Sequence, residues 1–270
     1  MDFSENNLKI KICLLKSLVV FLYFLYCNNA VFSQNLVPNP GFEIYNNCPS
    51  GFTSMDTSST SFPSVDSWYE PNFGTADYYQ YCGDWITGIP QNFSGFQYPH
   101  SGNAYCGIIM YSTQAVNARE YLQVKLTQPL EAGKYYCVQF YVAVAEGMDL
   151  FSQLGNHQFS FNAYGINAIG AYFSKTPVEN LAGGGSLLNF TPQVTSDASN
   201  MLTDSIHWTL ISGLYQATGV EKYLTLGCFK NDAQLQKILI NPGFGNELYG
   251  LSYYYLDDIS VTETHVILPE

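Results

Sequence analysis

The chain has 270 residues, a formal net charge of −12 at pH 7, and hydrophobic residues at 47% of its positions. This hydrophobic content excludes general disorder. The total of only 10 Lys and Arg residues excludes nucleic-acid binding through a basic patch. Tyr and Phe number 22 and 18, and strands favour aromatic side chains, so the composition favours β-structure.

The N-terminus has the pattern of an export signal. Three lysines within residues 9–16 precede the apolar run 17–26, and a small-residue cleavage region follows. This order predicts a secretory signal peptide over residues 1–33, with the mature chain starting at Gln34. An uncleaved anchor is the alternative, although the apolar run is short for a membrane span, and no later stretch is long and apolar enough to cross a bilayer.

The rest of the chain is dominated by strand patterns separated by Gly-, Ser-, Asn- and Pro-rich loops. The predicted strands are 104–111, 120–127, 134–144, 157–166, 168–174, 207–218, 222–229 and 253–261, and the predicted long loops are 46–67, 83–103, 175–200 and 230–250. One helical turn is predicted around 146–154. Many strands with turn punctuation predict an all-β antiparallel sandwich of jelly-roll type, as one domain over 34–264 with a tail at 265–270.

The cysteines fit an exported protein. Cys48 in "NNCPSG" and Cys82 in "YQYCGD" both lie in loop-like segments flanked by turn residues, and we expect them to form a disulfide. Cys106, Cys137 and Cys228 lie within strand patterns and are predicted to be buried free thiols, with a second bridge among them as the alternative.

Three motifs carry a resemblance to known families. They are "NPGFE" (39–43), "GKYYCVQFYV" (133–142) and "YLDDISV" (255–261). Together they resemble the start, middle and end of the galactose-binding-like jelly-roll carbohydrate-binding modules of families four, nine and twenty-two. The resemblance implies the same sandwich fold and a glycan ligand.

A denser resemblance links the chain to uncharacterised surface proteins of Gram-negative bacteria. It rests on "REYLQVKLTQPL" (119–130) and "HWTLISGLYQATGVEKYLTLGCF" (207–229), among other segments. In those proteins the jelly-roll domain often precedes an OmpA-like domain or a secretion tail, and the 270 residues here contain neither. The resemblance implies a secreted protein of the outer cell surface or periplasm.

The carbohydrate-module resemblance also implies a structural calcium ion. In those modules a calcium ties the first strand to the last through a glutamate and an aspartate that match Glu43 and Asp257. Strict alternation would turn Asp257 toward the core with Ile259 and leave Asp258 solvated. A carboxylate without a partner is costly to bury, and calcium takes six to eight oxygen ligands. The alternative is that Asp257 accepts backbone N–H bonds or pairs with a lysine.

Two sets of residues are candidate ligand contacts. Trp85, Tyr78, Tyr81 and Phe93 are predicted to form a stacking surface for sugar rings, with hydrophobic plugs beneath the loops as the alternative. Trp208 is predicted to lie in the core. Arg119, the chain's only arginine, is predicted to clamp a carboxylate, and the alternative is that it binds an acidic group or sugar hydroxyls of a ligand.

Motifs for catalysis are lacking in the sequence. The four histidines are scattered without metal-ligand spacing, and neither H-E-x-x-H nor G-x-S-x-G occurs. The sequence therefore predicts a non-catalytic, secreted, glycan-binding module. The alternative is a cell-envelope structural or protein-interaction domain, and a hydrolase on the same fold is the least favoured reading.

Overall fold

The computed structural model describes residues 34–51, 65–72, 74–147, 161–180, 185–243 and 249–264. These residues form strands and loops without a helix. The strands are β1 (Trp68–Tyr69), β2 (Asp77–Gln80), β3 (Gln91–Asn92), β4 (Gly95–Phe96), β5 (Ala104–Ser112), β6 (Tyr121–Lys125), β7 (Tyr135–Val144), β8 (Asn162–Ile166), β9 (Gly170–Ser174), β10 (Val194–Thr195), β11 (Thr209–Gln216), β12 (Tyr223–Gly227), β13 (Lys237–Asn241) and β14 (Gly250–Thr264).

Two sheets face each other across the core. The five-stranded sheet has the order β1-β6-β12-β9-β10. The seven-stranded sheet has the order β11-β7-β14-β5-β2, with β8 beside β14 and β13 beside β8. Neighbouring strands are antiparallel except for the short β8–β14 pair. From β5 to β7 and from β10 to β14 the chain repeatedly crosses between the sheets, which is the connectivity of a jelly roll. The predicted fold class is confirmed.

The core is built by alternation along β7. Tyr136, Val138, Phe140 and Val142 are 2%, 0%, 0% and 1% exposed, and all belong to the main hydrophobic cluster. Leucines and valines of β6 and β12, including Leu122 and Leu224, belong to the same cluster. Each such side chain contributes about 1.5–3 kcal/mol when it is buried, so this shared face holds the two sheets together.

The outer face of each sheet is also covered. Over the seven-stranded sheet lies a second cluster that contains Tyr79, Tyr105, Tyr253 and Tyr255. Over the five-stranded sheet lies the described part of segment 174–193, which contributes Val178 and Leu188 to a third cluster with Tyr121 and Phe229. Neither face is an open groove where the structure describes it.

The long final strand contains a β-bulge. Asp257 pairs with Tyr141 and Ser260 pairs with Gln139, so three steps along β14 match two steps along β7. Asp258 takes the left-handed conformation, with φ of 49°. Leu256 and Ile259 therefore both face the core, and Asp257 shares the outer face with Tyr141. The prediction that Asp257 faces the core with Ile259 is wrong, because the bulge resets the alternation.

Most predicted strands are confirmed, with ends shifted by a few residues. The predicted loops at 83–103, 175–200 and 230–250 contain the strands β3, β4, β10 and β13, and β2 was not predicted. The helical turn at 146–154 lies mostly outside the described residues, as do the signal peptide at 1–33 and the tail at 265–270.

Three of the predictions about the cysteines are confirmed. Cys48 and Cys82 form a disulfide, and Cys106 and Cys228 are buried free thiols. Cys137 is disulfide-bonded instead of free.

Candidate binding surfaces

The largest group of exposed aromatic rings lies on one segment, residues 81–98, which we name the aromatic loop. Tyr81, Trp85, Phe96 and Tyr98 are 48%, 53%, 39% and 57% exposed. Phe96 and Tyr98 meet edge to face, with ring centroids 5.4 Å apart. Tyr81 and Trp85 were among the predicted contacts. Phe96 and Tyr98 were missed, although "GFQY" carries two aromatics beside a turn glycine.

The aromatic loop is held in place from below. The Cys48–Cys82 disulfide joins its start to the segment 48–51. The Asp84 carboxylate accepts bonds from the N–H groups of Ile86 and Thr87 at 2.9 and 3.1 Å, and from the N–H of Gly51 at 3.0 Å. Partial burial raises the pKa of Asp84, but these bonds outweigh it and lower the pKa overall. The backbone of the aromatic loop, which carries the exposed rings, is therefore anchored to the rest of the chain.

Two of the predicted stacking residues, Tyr78 and Phe93, are less exposed to a ligand than Tyr81 and Trp85 are. Tyr78 is fully buried in the core, where its hydroxyl donates to the carbonyl of Phe42 at 3.0 Å, so its predicted stacking role is wrong. The strand β2 explains this, because it places Tyr78 opposite the buried Cys106. Phe93 is half-buried, and its N–H donates to the carbonyl of Ile86 within the aromatic loop.

Trp208 was predicted to lie in the core, and this is wrong. β11 pairs Thr209 with Val142, so Thr209 and Ile211 take the inward positions and Trp208 lies on the outer face. Its ring is half-buried, and its Nε1 donates to the carbonyl of Tyr98 at 2.9 Å. Trp208 thus supports the end of the aromatic loop.

Three carboxylates bond different residues of the segment 100–103. Asp257, which is fully buried, accepts bonds from the N–H groups of His100 and Ser101 at 2.9 and 3.3 Å. Asp258 accepts from the Ser101 hydroxyl and contacts the His100 ring, so the prediction that it is simply solvated is wrong. Glu43, which is exposed, accepts from the N–H of Asn103.

Gly41 shows how closely two of these carboxylates approach the first segment of the chain. A Cβ built on Gly41 would lie 3.3 Å from Oδ1 of Asp258 and 3.5 Å from Oδ1 of Asp257. The Cγ atom of Glu43 would lie 3.9 Å from the same point. The carboxylates of Asp257 and Asp258 thus lie beside the first segment of the chain, whereas that of Glu43 bonds Asn103.

The Asp257 carboxyl has an unusual environment. Burial and then the neighbouring Asp258 raise its pKa to about 8, although the N–H groups of Asp258, Ser101 and His100 oppose this shift. The backbone N–H bonds that were the predicted alternative to calcium at Asp257 are thus observed. The carboxylate oxygens also suit calcium in their chemistry. Since the described side chains form no cluster of three metal-binding residues, such an ion would need carbonyl oxygens as well.

Arg119 is a structural residue. Its side chain has no exposure, and its Nη2 donates to the Asp232 carboxylate and to the Lys230 carbonyl, both at 2.8 Å. Its Nη1 donates to the carbonyl of Ala118 at 2.7 Å. The predicted carboxylate clamp is thus present. The alternative that Arg119 binds an acidic group or sugar hydroxyls of a ligand is wrong, because these contacts bury its guanidinium.

No protein-family model and no curated protein matches this chain. Among solved structures it is similar to the CBM22-1–GH10 modules of Clostridium thermocellum xylanase 10B in complex with xylohexaose. That match has 11% identity and a TM-score of 0.39, and it covers 88% of this chain and 30% of the xylanase chain. The chain thus spans less than a third of that protein's length.

Two further similar structures are sugar-binding by their descriptions. One is a putative sugar binding protein from Bacteroides thetaiotaomicron, at 16% identity and a TM-score of 0.38, covering 85% of this chain and 100% of the other. The other is TmCBM61 in complex with β-1,4-galactotriose, at 13% identity and a TM-score of 0.32, covering 86% and 99%. With TM-scores this low, these likenesses carry no argument about the ligand of this chain.

The part of the chain that the structure describes contains no helix long and apolar enough to cross a membrane.

Proposed function

We propose that this protein is a non-catalytic, secreted module that binds neutral glycans through the aromatic loop. The observation that carries the proposal is the set of four aromatic rings, 39–57% exposed, on one anchored segment. Exposed apolar groups that cluster on a surface mark an interaction site. Tyrosine and tryptophan combine a flat apolar body with a polar tip, which suits the apolar face and hydroxyl rim of a pyranose.

Charge and redox chemistry support the same proposal. The net charge of −12 disfavours an acidic polysaccharide as ligand, so a neutral glycan is the better fit. The Cys48–Cys82 disulfide supports an oxidising compartment, as expected of a secreted or periplasmic protein.

Binding can be tested by titration calorimetry with xylohexaose and β-1,4-galactotriose, followed by a glycan array. We expect Trp85→Ala to weaken binding of the recognised glycan about tenfold, which corresponds to about 1.4 kcal/mol. Val220→Ala is the matched control, because Val220 is a comparably exposed apolar residue (46%) outside the aromatic loop. If wild-type protein binds no glycan on the array, the proposal is overturned.

We also propose a structural calcium bound by Glu43 and Asp257 together with main-chain carbonyls. The support is that both carboxylates bond main-chain N–H groups of one short segment, Asp257 those of His100 and Ser101 and Glu43 that of Asn103. A ligand that binds only the folded state raises its stability. We therefore expect millimolar calcium to raise Tm and a chelator to lower it, and Asp257→Asn to remove this response. An identical Tm with calcium and with chelator would rule the ion out.

A second candidate function is a protein interaction at a sheet edge. Among the described residues, β13 pairs only with β8, and its Ile238 and Leu239 are each 48% exposed. An exposed apolar edge strand can accept a strand from another protein. Pull-down from an envelope fraction with wild type and with Ile238→Lys would test it, and equal recovery of partners by both proteins would contradict this role for β13.

A further inference from the structure

A cleft of about 550 Å³ opens at one end of the five-stranded sheet. It lies where β12 ends and β9 begins, between residues 167–170, 189–198 and 229–234. The described part of the outer face of that sheet is covered, because the Gln123 amide bonds both main-chain groups of Val178 at 2.8 and 2.9 Å and holds the covering segment down.

The cleft has an aromatic wall. Phe190 is 39% exposed, and its ring lies nearly parallel to that of Tyr172, with the centroids 4.6 Å apart and the planes at 16°. Tyr172 in turn contacts Phe229, which lines the cleft and is 8% exposed. This stack fixes the Phe190 ring and leaves one apolar surface partly exposed beside the cleft.

Asn167 lines the same cleft and has unused hydrogen-bonding capacity. It is 2% exposed, and its Nδ2 donates to the carbonyl of Ala198 at 2.7 Å and to Oε1 of Gln236 at 3.0 Å. Because both partners are acceptors, the amide cannot be flipped without losing both bonds. Its Oδ1 accepts no hydrogen bond from any described residue. Buried polar atoms normally have a partner, so this oxygen calls for a donor.

The remaining polar residues of the cleft are mainly neutral. Asn189, Thr191, Thr195 and Gln234 supply amides and hydroxyls, and Lys230 is the one charged residue among those that line it. Without a carboxylate in its lining, the cleft has no acid–base pair for hydrolysis. An aromatic surface combined with amides and hydroxyls suits a neutral ligand rich in hydroxyl groups.

We propose that this cleft is a second sugar site, which takes a single neutral pyranose unit against Phe190 and bonds its hydroxyl groups through the neutral amides and hydroxyls of the lining. The proposal rests on the proposed glycan-binding function and adds a site that is separate from the aromatic loop. It predicts that mono- and disaccharides bind through the cleft, whereas longer chains also use the aromatic loop.

The test is an NMR titration of the full chain with galactose and with xylose, the units of the two oligosaccharides above. We expect shift changes at the Asn167 side-chain amide and the Phe190 ring. Phe190→Ala should weaken monosaccharide binding about tenfold, and Phe190→Tyr should retain it. Val220→Ala is the matched control and should leave monosaccharide binding unchanged, because Val220 is exposed and lies outside both the cleft and the aromatic loop.

The outcomes separate the two proposals. Shift changes confined to residues 81–98, with Phe190→Ala binding like wild type, would overturn the cleft and leave glycan binding by the aromatic loop intact. Absence of any glycan binding by wild-type protein would overturn both.

Discussion

The two outer faces of this sandwich are closed by different chemistry. Over the seven-stranded sheet, strand tyrosines meet residues of the aromatic loop, as when Tyr255 donates to Asn92 Oδ1 at 2.9 Å. Tyr253 donates to Asp77 at 2.7 Å within the same layer. Over the five-stranded sheet, a covering segment is held by its main chain, through Gln123 and Val178. Tyrosine side chains cover the outer face of the seven-stranded sheet. A loop segment held through its main chain covers the outer face of the five-stranded sheet.

This difference decides where a ligand can bind. Strand tyrosines are buried on the first face, and the accessible rings are those of the aromatic loop. On the second face, the covering segment contributes Phe190 to the lining of the cleft. In the described part of the chain, both proposed binding sites therefore lie at the rims of the sandwich and not on its sheet surfaces. The predictions below test how independent the two sides are, from the largest expected effect to the smallest.

Removing the Arg119 side chain should weaken the cleft side most. Arg119→Met leaves the Asp232 carboxylate and the carbonyl of Lys230 without this donor, and breaking such a buried pair costs about 3–5 kcal/mol. Asp232 is 26% exposed, which favours the lower end of that range. Urea unfolding would measure the loss. Arg119→Lys is the control and should recover only part, since an ammonium group cannot replace the guanidinium fork. An unchanged unfolding midpoint would refute the clamp.

Removing the Cys48–Cys82 disulfide should weaken the aromatic-loop side. The two cysteines are separated by 34 positions, and releasing a loop of that length costs about 3–4 kcal/mol in the chain-entropy model. The Cys48→Ser/Cys82→Ser variant should melt earlier than wild type, and monosaccharide binding in the cleft should persist below the new Tm. Loss of cleft binding at low temperature would show that the two sides are coupled.

Acid should destabilise the whole sandwich through Glu221, at the opposite end of the five-stranded sheet from the cleft. Its carboxylate accepts bonds from the Tyr215 hydroxyl and from the Thr218, Gly219 and Val220 N–H groups. Burial raises its pKa, but these bonds outweigh burial and lower the pKa from 4.5 to about 2.

A depressed carboxyl pKa means that its stabilisation is complete above the unfolded value and is lost as the pH falls toward the folded value. The shift corresponds to about 3 kcal/mol, lost between about pH 4.5 and about pH 2. Unfolding free energies measured across this window should fall in wild type and fall less in Glu221→Gln. Equal slopes would show that Glu221 does not titrate as described.

The smallest stability effect is expected at the exposed rings. Trp85→Ala and Phe190→Ala should each change the free energy of unfolding by no more than about 0.5 kcal/mol, because surface substitutions usually do little. Circular dichroism melts would measure this. A loss of several degrees in Tm would mean that the ring supports the fold, and any loss of glycan binding would then have to be reassigned to stability.

The sequence allows the fold to be predicted wherever alternation is regular. In β7, Tyr136, Val138, Phe140 and Val142 alternate without interruption, and all four are buried in the core. The disulfide could be anticipated because Cys48 and Cys82 both lie in loop-like segments flanked by turn residues. The alternation of β7 and the disulfide could be predicted because both depend on residue types that are neighbours in the sequence.

The errors arise where the backbone departs from regular alternation. Nothing in "YLDDISV" shows that Asp258 takes a positive φ, so the bulge that turns Asp257 outward could not be anticipated. Trp208 has the expected alternation with Leu210 but the opposite face, which only the pairing of β11 with β7 decides. The cleft was not predicted at all, because Asn167 and Phe190 are brought together by tertiary structure.

The central position of β14 determines when the seven-stranded sheet can fold during synthesis. This last strand lies between β5 and β7 in the middle of the seven-stranded sheet, and its Val261 carbonyl accepts the N–H of Leu36 from the first segment. The sheet therefore cannot close until residues 250–264 have left the ribosome. Contacts of such long sequence separation form slowly, so the earlier strands must wait with their edges unpaired. The edges of β5 and β7 therefore stay unpaired in the nascent chain until residues 250–264 are available to fill the gap between them.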